Sequence, residues 1–195
     1  VDYECELVAV IGRGGRRIAE AEALAHVPGY TCANDVSHRP IQFAEMKMGT
    51  LLVGKAFDTF CPLGPVIATG LDPARLDIAT RLNGRVCQSS NTSDLLFGVP
   101  KLVSYLSQAI ALRPGVLGLT GTPSGIGPIA TGDVVEIEIE VIGILRNPVV
   151  AEAAFSASSF SNLPMYFVNR VCTRSEGRAP TPSQYLIRAG IRMAR

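Results

Sequence analysis

Through its first 150 residues the chain alternates short apolar runs with turn-forming residues. Leu7 to Ile11 is an unbroken apolar run, entered through the alternating Tyr3-Glu4-Cys5-Glu6, and it predicts a buried strand. Gly12 to Gly15 breaks it. Ile18 to Val27, rich in Ala and Glu and closed by Pro28-Gly29, predicts a helix. Tyr30 to Asn34 predicts a second strand that ends at Asp35, and residues 36–54 show no clear period and are expected to form a long loop. Val66 and Ile67 open a third strand. Leu76 to Leu82 and Val86 to Gln88 flank Asn83-Gly84, a strong hairpin signal. Pro100 suits a first helical turn, with Leu102, Val103, Leu106 and Ile110 following at helical spacing before Pro114-Gly115. From Val134 to Val141 the alternation is strict. Glu136, Glu138 and Glu140 face one way and Val135, Ile137, Ile139 and Val141 the other, as in an antiparallel strand with one wet face. Short strands, a hairpin and two helices predict an α+β, mainly β domain over residues 1–150, without internal repeats.

The 195 residues suffice for one such domain, and a hydrophobic fraction of 47% supplies its core. The net charge of +1 leaves no nucleic-acid footprint. It conceals an asymmetry: residues 1–150 hold 12 Lys and Arg against 15 Asp and Glu, whereas residues 151–195 hold 6 Arg and 2 Glu. Those arginines are scattered among Ser, Ala and Pro, so residues 151–195 are expected to be a poorly ordered or loosely docked basic tail. Cys5, Cys32, Cys61, Cys87 and Cys172 form no C-x-x-C pair, which excludes a zinc knuckle or dithiol motif and fits small apolar packing in a reducing compartment. No run reaches the roughly 18 apolar residues of a membrane span, so no membrane partner is expected. The chain opens on Val1 in a strand-like segment, where any targeting peptide lies out of view.

Glu4 and Glu6 stand two apart on a strand, so both carboxylates project from one face. Asp35, closing the second strand, could reach the same point. Three carboxylates without His or Cys suit a hard cation, Mg²⁺ before Ca²⁺ or Mn²⁺. On spacing alone the stronger reading is a solvated acidic edge, since acidic residues on an edge strand are usually exposed to water. Lys55 and Arg39 are cations able to hold an anionic substrate beside such a metal, and Gln42 adds a neutral donor and acceptor. Thr120-Gly121-Thr122-Pro123-Ser124-Gly125 is a hydroxyl-rich turn whose backbone N–H groups could approach an anion, or simply a tight β-turn. Two phosphate motifs fail. Gly12-Arg13-Gly14 precedes Arg17 where a dinucleotide fingerprint has its third glycine, and the turn at Thr120 lacks a Gly-Lys-Ser/Thr ending. His26 and His38 are the only histidines and read as structural.

Together these segments resemble the fumarylacetoacetate hydrolase family. The resemblance is carried by Val1 to Leu7, Gly29 to Arg39, Gly54 to Pro65, Arg81 to Gly84, Ser90 to Asp94, Val103 to Gln108, Leu119 to Gly127 and Leu145 to Val149, in order along the chain. It implies a mixed β-sheet roll with few short helices, usually a homodimer. It also implies a divalent metal on Glu4, Glu6 and Asp35, with Thr59 supporting that site. Arg39, Gln42, Lys55 and Thr122 fall where the family binds substrate, and Lys55 is the catalytic cation beside a metal-stabilised enolate.

The chain departs from the family at His38-Arg39-Pro40, where Ala-Arg-Asp is common, and at Leu51, where an aromatic residue is common. The family's water-activating His and Glu precede the strand at Val1, so the chain is expected to be cut short at its front. Residues 151–195 match no family segment. The expected function is a Mg²⁺-dependent enzyme acting on small 2-oxo or β-diketo acids, most simply a C–C bond hydrolase. An oxaloacetate decarboxylase or oxo-dicarboxylate isomerase is the alternative within the family. From another class, the alternative is a catalytically inactive metal-binding remnant. The expected location is cytoplasmic, with a mitochondrial one also open.

Overall fold

A computed structural model of the chain describes residues 1–151 and 191–193. The tail reading of residues 151–195, together with Cys172, otherwise lies outside the described residues. The protein is α+β and mainly β. Strand β2 (Cys5–Val10) is the predicted first strand, preceded by the short β1 (Asp2–Tyr3), and β3 (Gly29–Asn34) is the second. These two pair antiparallel, with Cys5 opposite Asn34 and Val10 opposite Gly29. β4 (Leu63–Ala68) and β7 (Leu117–Leu119) flank them, giving a four-stranded sheet in the order β4-β3-β2-β7.

The second sheet is built on the Asn83-Gly84 hairpin of β5 (Asp77–Leu82) and β6 (Arg85–Asn91). Both turn residues take positive φ, 53° and 80°, which is why Asn-Gly succeeds there. β9 (Val134–Ile139) lies against β5, β10 (Gly143–Ala151) against β9, and β11 (Ile191–Met193) completes the order β11-β10-β9-β5-β6. A two-stranded pair joins β1 to β8 (Gly127–Pro128). Cys5, Leu7, Ala9 and Cys32 of the first sheet meet Ile78, Val135, Ile137 and Ile139 of the second in one buried cluster. The alternation of β9 therefore does what its pattern requires, since Val135, Ile137 and Ile139 all lie inside. Val141 does not: it is exposed, in the turn after the strand, at φ 67°.

Two expectations about helices need correction. Residues 36–54 hold a helix, α1 (Arg39–Lys47), capped by His38, whose Nδ1 accepts from the Ile41 N–H at 3.4 Å. Its buried positions are the polar Gln42 and Glu45, while Phe43 and Met46 face outward, so no apolar period betrays it. Conversely, the predicted helix over Ile18 to Val27 is a 3₁₀ turn, Glu20–His26. Ala23 and His26, three apart, are its buried residues, a spacing that stacks in a three-residue turn. α2 (Val99–Ala109) matches its forecast in place, but it buries Val99, Val103 and Ser107 and leaves Leu106 and Ile110 largely exposed. Among the described residues, no helix is long and apolar enough to cross a membrane.

Candidate active site

The site forms where β1 passes into β2. Glu4 sits between the two strands and is stitched to the end of β3. Its N–H donates to Asn34 Oδ1 at 2.9 Å, and its carbonyl accepts from the Asp35 N–H at 2.9 Å. This pins Asp35 beside the Glu4-Glu6 face. One carboxylate oxygen from each of Glu4, Glu6 and Asp35 lies within 4.8 Å of the others, and Glu4 and Glu6 are buried. Three carboxylates so close, shielded from water, repel one another unless cations or donors face them.

Two cations do. Lys55 Nζ stands 3.0 Å from Glu4 Oε2 and also donates to Asp35 Oδ2. Arg39 spreads its guanidinium over three acceptors, with Nε 2.8 Å from Asp2 Oδ2, Nη1 2.7 Å from Gln42 Oε1, and Nη2 on Glu4 Oε1. Burial opposes the charge on both cations, yet their hydrogen bonds to the acids hold both pKa values above the ordinary ones. Glu6 receives a backbone donor instead, the Gly121 N–H at 2.7 Å. Gly121 has φ 102°, a conformation open to glycine, so the turn presents that amide at little strain. Burial nonetheless pushes the Glu6 carboxyl up to about 7, against the pull of the Gly121 amide. Asp35 is also raised by burial, with Lys55 pulling the other way.

The other expected residues take varied places. Gln42 is buried on α1 and orients Arg39. Thr122 follows Gly121, half-buried, with its Oγ1 accepting from Gln88 Nε2 at 2.9 Å. Thr59 has φ 68°, a strained conformation for a β-branched residue, in the loop after Lys55. His38 stacks on Phe57, ring centroids 5.5 Å apart, in addition to capping α1. His26 Nδ1 lies 2.8 Å from the Arg13 carbonyl. Cys5 and Cys32 are free and buried, and burial pushes both thiols up to about 12, as inert packing groups.

Three contributors escaped the sequence reading. Asp2 continues the alternation of Glu4 and Glu6, and that period of two was the signal for it. Glu45 accepts from the Leu52, Val53 and Gly54 N–H groups, closing the loop that carries Lys55. Gln88 reaches from β6 to the Thr122 turn and left no sequence signal.

The family model described as fumarylacetoacetate (FAA) hydrolase C-terminal matches residues 1–150. The chain belongs to the fumarylacetoacetate hydrolase family. Bovine mitochondrial oxaloacetate tautomerase FAHD2A is 46% identical over 160 residues, covering 77% of this chain and 51% of that protein. The structure of 5-carboxymethyl-2-hydroxymuconate delta-isomerase from Mycobacterium smegmatis superimposes with TM-score 0.74 at 47% identity, over 78% of this chain and 59% of that one. Fumarylpyruvate hydrolase from Pseudomonas aeruginosa, solved with Mn²⁺ and pyruvate, gives TM-score 0.72 at 38% identity, over 74% and 64%. The chain thus spans about half the length of the curated tautomerase relatives it matches. This family membership agrees with the mainly β fold.

Proposed function

We propose that residues 1–150 carry the catalytic core of a divalent-metal-dependent enzyme that enolises small 2-oxo acids. The observation that carries this reading is the convergence of three carboxylates within 4.8 Å, faced by Lys55 and Arg39. The donor set is all oxygen and suits Mg²⁺ or Mn²⁺, held by Glu4, Glu6 and Asp35. The Mn²⁺ and pyruvate bound by the Pseudomonas aeruginosa hydrolase support both the metal class and the ligand class. Such a metal would polarise the 2-oxo carbonyl as a Lewis acid. Arg39 and Thr122 would hold the substrate carboxylate, with Gln42 setting the guanidinium plane. Lys55 Nζ would donate a hydrogen bond to the carbonyl oxygen as negative charge develops on it.

Keto–enol exchange moves one proton between the carbon beside the carbonyl and the carbonyl oxygen. It calls for charge stabilisation and an acid–base group or solvent water to carry that proton, but no activated nucleophilic water. The tautomerase relatives and the isomerase structure favour this reaction. C–C bond hydrolysis is the second reading, supported by the fumarylpyruvate hydrolase. It requires a positioned base for water. His38 and His26, the two histidines, are already engaged as a cap and against a carbonyl.

Titrating Mg²⁺ or Mn²⁺ into the 195-residue protein should raise its Tm, by about 5 to 10 °C at roughly 100-fold excess over Kd. Glu6→Ala should abolish the rise; an equal rise in that variant sinks the metal assignment. Oxaloacetate keto–enol exchange, followed by ultraviolet absorbance, should depend on the metal and fall about 100-fold in Lys55→Met. Metal binding without any exchange would identify an inactive metal-binding domain, and robust acylpyruvate cleavage would reverse the order of the two reactions.

A further inference from the structure

Gln88 is a large polar side chain almost wholly buried near the site, at 1% exposure. It lies on β6 directly opposite Thr80 of β5, so both side chains point between the sheets. All four of its hydrogen-bonding positions are used. Oε1 accepts from the Cys5 N–H at 3.1 Å and from Thr80 Oγ1 at 2.7 Å. Nε2 donates to the Pro123 carbonyl at 2.8 Å and to Thr122 Oγ1 at 2.9 Å.

The orientation of this amide is chemically determined. A backbone N–H can only donate, so the atom facing Cys5 must be oxygen; a proline carbonyl can only accept, so the atom facing Pro123 must be nitrogen. Thr122 Oγ1 therefore accepts a hydrogen bond from Gln88 and must direct its own proton elsewhere. The preceding residue, Gly121, already gives its N–H to Glu6, which sets the turn at the rim of the carboxylate cluster. Cys5 lies between Glu4 and Glu6, so one side chain ties the acidic strand and the Thr122 turn together.

We propose that Gln88 is a positioning residue that fixes the Thr122 hydroxyl as a donor aimed at the carboxylate of a bound 2-oxo acid. The inference rests on the reading of the site given above. A hydroxyl locked this way donates to an acceptor oxygen, and most strongly to an anionic one, so Gln88 contributes to the binding of acids.

The test is oxalate, a planar dianion resembling an enolpyruvate, titrated calorimetrically into the Mn²⁺-loaded 195-residue protein. Mn²⁺ affinity is measured on the same samples by electron paramagnetic resonance. Thr122→Val and Gln88→Met should each weaken oxalate by about 10-fold or more, with Mn²⁺ affinity within about twofold of wild type. Adding Gln88→Met to Thr122→Val should weaken oxalate no further, because Gln88 acts through that hydroxyl. Gln88→Asn keeps a buried amide but withdraws its nitrogen from Thr122. It should show the same loss and serves if Gln88→Met does not fold. The proposal is overturned if Gln88 variants bind oxalate like wild type, if their losses are equal in both Thr122 backgrounds, or if Mn²⁺ affinity falls in step. Failure of the wild-type protein to bind Mn²⁺ or oxalate would overturn the reading of the site and this inference with it. Tight wild-type binding with an inert Thr122→Val would reject the role of Thr122 and the relay, leaving the metal assignment standing.

Discussion

Lys55 and Arg39 each face the acidic cluster, and their placement sets up an opposition between two cations. Lys55 bridges Glu4 and Asp35, two of the three carboxylates that would take a metal. Its ammonium thus neutralises charge that a divalent ion would otherwise neutralise, and its side chain is about one quarter exposed, so the pair is partly screened. Lys55→Met is therefore expected to tighten Mn²⁺ binding, by roughly threefold to tenfold, while weakening oxalate. Opposite signs on one variant separate a substrate-facing cation from a merely structural one. Parallel weakening of both ligands in the same titrations would show that Lys55 holds the site together instead.

At the scale of elements, α1 and the loop after it form one device. The Glu45 carboxylate accepts from three successive amides, Leu52, Val53 and Gly54, and these bonds hold its pKa below the ordinary 4.5. The His38 N–H donates to the Gly54 carbonyl at 2.8 Å. Gly54 packs so closely that a Cβ there would come within 2.9 Å of the Gln42 backbone. Lys55 follows directly, so its position depends on this clamp. Because the folded pKa is depressed, the contribution of Glu45 is fully present above the ordinary glutamate value and is lost as pH falls through the folded one. Glu45→Gln should lower Tm at pH 7, and the gap to wild type should close as pH falls below the ordinary glutamate value of 4.5. Calorimetry across that range checks it; a gap that persists at low pH would place the effect of Glu45 in packing.

For the molecule as a whole, stability resides where the two sheets meet. Ile137 is fully buried between them, whereas its neighbour Glu138 pairs with Arg81 on the open face. Ile137→Ala removes packed methylene groups and leaves a cavity, a loss of about 2 to 5 kcal/mol. In a chain of this size that corresponds to a fall in Tm of roughly 5 to 15 °C. Glu138→Ala, one residue along, should change stability by less than about 1 kcal/mol, since its ion pair is partly exposed. Chemical denaturation of both variants tests whether the inner face of β9 is the mechanical centre of the fold.

The sequence by itself determined what depends on neighbours in the chain. Period-two alternation specified the buried face of β9 and the shared face of Glu4 and Glu6, and Asn83-Gly84 specified its hairpin through positive φ. The segments quoted for the family resemblance lie within the residues its model matches. Tertiary structure decided the rest. α1 was hidden because its inner face is polar: Gln42 and Glu45 are buried for the hydrogen bonds they make with Arg39 and the 52–54 amides. At Glu20–His26 the chain takes a 3₁₀ turn where local composition pointed to a helix, and Ile18 just before it is tied to Ser107 of α2, 89 residues away. Gln88 meets Cys5 across 83 residues, and Gly121 meets Glu6 across 115. A local pattern records which face a side chain takes, but hydrogen bonds across such distances exist only once two sheets have packed. For that reason Glu4, Glu6 and Asp35 were legible in the sequence, whereas Glu45 and Gln88, which hold their neighbours in place, were not.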